Sequence, residues 1–212
     1  MENWFFGFIL IFGLLFNLGA YAQIQKLPSE NTAIIVIDVW DDANLNDYVK
    51  NSLNPFLEKA KGDGYLLINA PSQGKINRNL KDIFDYSIYD LEPVFPILDA
   101  NSIENIVYVG YEKALCLLDK PAGAFHLKNL GLNYDMFVLD TLSISSMAEF
   151  DLISEFFFDE LGITNISTNE LLGADYRHNA NFWIEFNEQP RIEKLSGTNP
   201  LFVIFNNKKG EF

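Results

Sequence analysis

At 212 residues the chain has room for one ordinary α/β domain with a substantial core and little room for two. Apolar residues make up 49% and aromatics 15%, with 19 Phe, which excludes a disordered chain. Lys plus Arg total 15 against 29 Asp plus Glu, a net charge of -14, so the surface repels phosphate backbones and anionic headgroups; nucleic acid is not an expected partner.

The first 22 residues differ from the rest, with a nearly unbroken apolar run from Trp4 to Leu18 followed by Gly19, Ala20, Tyr21 and Ala22. The run has the length of a signal-peptide core and falls short of the roughly 20 residues that cross a bilayer comfortably. Ala20 and Ala22 supply the small residues a signal peptidase reads, so cleavage after Ala22 and export to the periplasm or medium are expected, with no membrane attachment afterwards. The n-region Met-Glu-Asn carries no Lys or Arg, which leaves an uncleaved anchor open. The mature chain would hold one cysteine and hence no internal disulfide.

In chain order, Thr32 to Val39 is β-branched and apolar on both faces, as in a buried parallel strand, and carries Asp38 near its end. Residues 47 to 61 place Tyr48, Val49, Leu53, Phe56, Leu57 and Ala60 at helical spacing, and Gly62 and Gly64 precede a second strand from Tyr65 to Asn69. Between Pro71 and Ser102, Pro93 and Pro96 interrupt the pattern, and only loop and short helix are predicted. A second unit follows: strand Asn105 to Val109, helix Ala114 to Leu130, a Gly131 stop and strand Met136 to Asp140. A helix from Ser145 or Ser146 to Leu161 and a short strand from Ile163 to Ser167 complete it. The sum is a doubly wound, mostly parallel sheet between helices over residues 32–172, preceded by a linker at 23–31. Residues 173–212 read as an extension with strand-like runs at Phe182 to Phe186 and Leu201 to Phe205.

In open parallel sheets ligands sit beyond the carboxyl ends of the strands, and two reactive residues converge there. Asp38 ends the first strand, and Cys116 follows the third through the turn Gly110-Tyr-Glu-Lys-Ala-Leu-Cys. A thiol at a helix start is eased toward thiolate by the free N-H groups there, while a neighbouring carboxylate takes its proton. The same turn offers N-H donors for an oxyanion.

These residues resemble the isochorismatase-like cysteine hydrolases, the family of the nicotinamidases and related amidases. AIIVIDVW matches the strand ending in that family's Asp, and IVYVGYEKALC matches the strand, Gly and turn that lead to its Cys. LLDKPAGAFHLKNLG, FVLDTL and ITNISTNELL extend the likeness to Leu172. A subgroup is matched by IDVWD, by INAPS and by the Lys120, Pro121 and Gly123 that follow the cysteine. The resemblance implies a three-layer αβα fold, Cys116 as nucleophile, Asp38 as base, and a homo-oligomer. It implies hydrolysis of a small amide- or imidate-type substrate through a thioester, or ether hydrolysis in the same cleft with Asp38 as the acid-base group. Trp40, Tyr111, Glu112 and Lys113 are then the residues expected at substrate or oxyanion, and the family's cis peptide falls at Tyr111-Glu112.

Departures stand beside the matches. The family's third catalytic residue is a Lys placed before the cysteine strand; the nearest position is Lys81, with Lys75 the alternative, and both are also ordinary surface lysines. Glu112 and Lys113 stand where many members have small residues, and either set substrate polarity or close the pocket with a salt bridge. His126 and His178 have no zinc-ligand spacing, and Asp41 and Asp42 beside Asp38 either form a solvated loop or bind a hard cation; with the loop as the first reading, neither metal nor cofactor is expected. With no identifiable Lys, a noncatalytic protein that keeps the cleft for binding or assembly is the rival reading.

Overall fold

The computed structural model describes residues 26–71, 76–89, 93–145, 148–173, 191–194 and 203–206. The expected signal segment, Lys75, His178 and the expected strand at Phe182 to Phe186 lie outside them.

Six parallel strands form the central sheet in the order β3-β2-β1-β4-β5-β6: β1 Thr32–Ile37, β2 Leu66–Ala70, β3 Tyr86–Ser87, β4 Asn105–Tyr111, β5 Asp135–Ile144 and β6 Thr164–Ile166. Every residue of β1 is buried, because it is central and covered on both faces. Ala33, Ile35 and Ile37 enter one apolar layer and Ile34 and Val36 the other. The second layer is filled by Tyr48, Val49, Leu53, Phe56, Leu57 and Ala60, from helical turns beginning at Ala43 that end in α1, Asn54–Gly62. The first is filled from α2 (Phe95–Ala100), α3 (Cys116–Asp119), α4 (Ala124–Asn129) and α5 (Ala148–Leu161). Helix α6, Thr168–Leu172, returns to the second layer through Leu171 and Leu172. The chain leaves β1 toward β2 over one face and β4 toward β5 over the other, so β1 and β4 flank the point where a doubly wound sheet opens at its carboxyl edge.

Four local readings change. The helix expected from Ala114 to Leu130 is two short helices, broken because Pro121 bars the helical conformation at the residue before it; Lys120 is extended, with φ -72° and ψ 161°. Strand β5 runs on to Ile144 because its pairing with β4 shifts between Tyr108 and Gly110, from Val138 to Ser143, leaving Asp140 in the bulge. The stretch between β2 and β4 contains the two-residue strand β3, and Pro96 opens α2 where its missing N-H costs nothing. Helix α6 begins at a capping box in which Ser167 Oγ accepts from the Glu170 N-H at 3.2 Å and Glu170 accepts from the Ser167 N-H. Beyond it, Arg191–Lys194 (β7) and Val203–Asn206 (β8) form a separate antiparallel pair.

The sheet's carboxyl edge depends on a close approach. Gly110 has φ 119°, and a Cβ there would stand 2.1 Å from the Ile37 carbonyl oxygen. Gly110→Ala should therefore cost at least about 3 kcal/mol, from left-handed strain together with backbone overlap. Gly131→Ala, at φ 68° with nothing within 4 Å, should cost only about 1 kcal/mol. Urea denaturation of the two variants checks the difference; equal losses would mean that the approach of β4 to β1 is not tight.

Candidate active site

Asp38 follows the last residue of β1 in a left-handed conformation, φ 55°, with its N-H donating to the Ala70 carbonyl at 3.2 Å. Holding a non-glycine residue there costs of order 1 kcal/mol and turns its carboxylate out of the strand's alternation. The residue is 1% exposed, and a carboxylate so placed needs a counter-charge. Lys120 supplies it: its Nζ donates to Asp38 Oδ1. The Cys116 thiol is also hydrogen-bonded to the Asp38 side chain, so one carboxylate receives a thiol and an ammonium.

Lys120 reaches Asp38 because of its sequence neighbours. It stands at the end of α3, one helical turn beyond Cys116 and on the same face. Pro121 then directs the chain away, Tyr108 Oη donates to the Ala122 carbonyl at 3.2 Å, and the Gly123 N-H returns to the Lys120 carbonyl at 2.7 Å. Lys81, the lysine expected on positional grounds, instead lies exposed in an open depression beside Asn54, Glu58 and Lys61. The ammonium that meets Asp38 was visible in the sequence as a basic residue after the cysteine, and its i,i+4 spacing from Cys116 was the signal that could have found it.

Burial raises the Cys116 thiol to about 12, assisted by the charge and hydrogen bond of Asp38; the Glu112 N-H and Lys120 pull the other way with less effect. The resting group is a thiol beside a carboxylate. A strong helix-end effect, as expected from a long helix, is absent because α3 is a single turn. The N-H groups of Leu115, Cys116 and Leu117 all donate to the Glu112 carbonyl, at 3.2, 2.9 and 3.2 Å, and that of Lys113 donates to Ile144. These four donors are engaged within the protein.

The Tyr111-Glu112 peptide is cis, at the place the resemblance implied. Glu112 and Lys113 are both buried, and Lys113 Nζ contacts Asp140 Oδ1 at 2.5 Å and Asp151 Oδ1 at 3.0 Å. Burial lowers Lys113, but these carboxylates outweigh it and hold the ammonium above its ordinary range. Trp40 and Tyr111 stand edge to face with centroids 5.7 Å apart. Trp40 is fixed by a bridge to Ile76 and by Asn77 Nδ2, which donates to its carbonyl at 3.0 Å. Asp41 is engaged by Arg78 through Nε and Nη2, and Asp42 accepts from the Asn44 N-H; no cluster able to hold a metal ion occurs among the described residues.

No protein-family profile matches the sequence, and no curated protein matches it. Solved structures do match. The MAR1 ribonuclease of Caenorhabditis elegans superposes with a TM-score of 0.56 at 16% identity, covering 70% of this chain and 85% of its own. YcaC of Escherichia coli, described as an octameric hydrolase of unknown specificity, gives 0.53 at 15%, covering 69% and 81%. An isochorismatase-like hydrolase from Alkaliphilus metalliredigens gives 0.51 at 16%, covering 66% and 96%. With its six parallel strands, flanking helices and these neighbours, the chain has the isochorismatase-like α/β fold of the cysteine hydrolases.

Proposed function

We propose that the protein is a hydrolase of a small neutral amide, with Cys116 as nucleophile, Asp38 as general base and Lys120 as the cation that receives the developing negative charge. The observation that carries the reading is the shared contact of Asp38 with the Cys116 thiol and the Lys120 ammonium. As the sulfur attacks the carbonyl carbon, its proton passes to Asp38 and the carbonyl electron pair moves onto oxygen, near Lys120. Collapse of the adduct expels the amine, which takes the proton from Asp38, and leaves a thioester. Water, deprotonated by Asp38, then cleaves the thioester and returns the proton to Cys116 sulfur.

The charges around the turn favour a neutral amide over an anionic enol ether. Arg78, Lys113 and Lys120 are all engaged by carboxylates, so a substrate carboxylate would have to displace one of those partners. Trp40 and Tyr111, stacked edge to face at the ends of β1 and β4, and the 40% exposed Leu115 next to Cys116 would suit a flat or apolar acyl group. The ribonuclease among the structural neighbours acts on RNA, but the charge of -14 argues against RNA here. A noncatalytic binding role is favoured by one observation, the high resting pKa of the thiol.

The two readings separate on paired measurements. With a panel of small carboxamides, Cys116→Ser should reduce ammonia release to background, and Asp38→Asn should lower it by about 10²- to 10⁴-fold. Iodoacetamide alkylation of the thiol should respond oppositely to Asp38→Asn. Asp38 raises the thiol pKa, so removing its charge should move the alkylation midpoint from about 12 to lower pH and make the thiol more reactive near neutrality. Faster alkylation together with slower hydrolysis supports the base role. A panel without turnover, with the alkylation shift intact, would favour binding.

We also propose that the chain is exported and that the mature protein is a homo-oligomer, as the neighbouring YcaC is. Among the described residues no helix is long and apolar enough to cross a membrane. Mass spectrometry of the protein recovered outside the cytoplasm should find Gln23 as the first residue; an intact Met1 in a membrane fraction would replace cleavage with an anchor.

A further inference from the structure

We infer that Lys113 is a positioning residue for the nucleophile, its ion pairs with Asp140 and Asp151 holding in place the one peptide unit that fixes both ends of the Cys116 turn; this rests on the role proposed for Cys116. Glu112 C=O and Lys113 N-H belong to a single planar peptide. On one side its N-H donates to the Ile144 carbonyl at 3.1 Å, at the end of β5. On the other its C=O accepts from Leu115, Cys116 and Leu117, with Cys116 closest at 2.9 Å. The preceding peptide gives its Glu112 N-H to the Cys116 sulfur. A rotation of this unit would therefore displace the backbone that carries the sulfur and the donor that contacts it.

The Lys113 side chain resists that rotation. Only 5% of the residue is exposed, while Asp140 and Asp151 keep about half of their side-chain surface in solvent, at 57% and 48%. The ammonium alone is desolvated, and each carboxylate retains water on its outer side, which makes this a low-cost form of buried ion pair. Its two anchors come from different elements, the bulge of β5 and the first turn of α5. The bulge that lengthens β5 thus has a consequence at the nucleophile, because it places Asp140 opposite Lys113. An apolar residue at position 113 would fill the space without tying the turn to either anchor.

The test follows the rate of iodoacetamide alkylation of Cys116 against pH, with melting temperature measured in parallel, for Lys113→Met, Lys113→Arg, Asp140→Asn and Asp151→Asn. Losing the hydrogen bond from the Glu112 N-H, which favours the thiolate, should slow alkylation by Lys113→Met about tenfold at a fixed alkaline pH, equivalent to about one pK unit. Lys113→Arg keeps the charge and should recover most of the rate; each Asp→Asn change leaves one anchor and should shift the profile less, in the same direction. A lowered melting temperature with a wild-type alkylation profile in Lys113→Met would overturn the inference. Should Lys113→Met fail to fold, a wild-type profile in both Asp→Asn variants would overturn it instead. Asp38→Asn measured alongside separates the two readings: no shift there removes the nucleophile-base pair itself, whereas a shift there with none in the Lys113 series removes only the positioning role.

Discussion

A carboxylate that is 1% exposed at the end of a central strand is the constraint around which this site is organised. Stripping water from Asp38 costs several kcal/mol, and the fold offsets that cost with two donors, the Lys120 ammonium and the Cys116 thiol. Each donor depends on a backbone feature elsewhere. Lys120 depends on Pro121, which ends α3 at the point where its side chain shares a face with Cys116. Cys116 depends on the turn after β4, which lies against β1 only because Gly110 has no side chain to meet Ile37. The same contact of β1 and β4 is the place where the chain's two winding directions diverge, so the topology that opens the cleft also brings the residues together.

The neighbouring charges form a second layer of the same problem. Lys113 is buried with its ammonium on two half-exposed carboxylates, and Arg78 is bound to Asp41 through two nitrogens. All these cations are matched by acids from other parts of the chain, which lets lysines sit inside an acidic protein without a net positive pocket.

Much of this was legible in the sequence where the signal was local and strong. The continuous β-branched run before Asp38 marked a two-sided buried strand, and the glycine and turn before Cys116 marked the second arm of the cleft. The third member of the cluster is less legible, because the i,i+4 spacing of Lys120 from Cys116 stands out only once Pro121 is taken to end the helix there; on a helix from Ala114 to Leu130 it is one such pair among several. Pro121 stood in the sequence as the reason that helix could not continue. Chain order points to Lys81 instead, and chain order does not determine which lysine reaches a site when several elements border it. Strand β3, with two residues, has too little pattern to detect, and the shift in β5 pairing depends on contacts with β4 that no single segment encodes. The Ser167 to Glu170 capping box is readable in the sequence, but the apolar residues before it suggest only a strand.

Burial and the Asp38 charge hold the Cys116 thiol at about 12, which distinguishes this arrangement from sites that store a thiolate against a cation. Here the negative charge rests on Asp38 before reaction. In the mechanism proposed, attack would transfer a proton from sulfur to that carboxylate while negative charge appears on the substrate oxygen, so the net charge of the buried cluster would stay constant and only its location would change. Lys120 contacts the starting location of that charge and, at one end of a flexible stem, can follow it to the substrate. Both a permanently ionised sulfur and a permanently protonated Asp38 would break this exchange. The same desolvation that keeps the thiol quiet in the absence of substrate strengthens every electrostatic contact available when the charge moves.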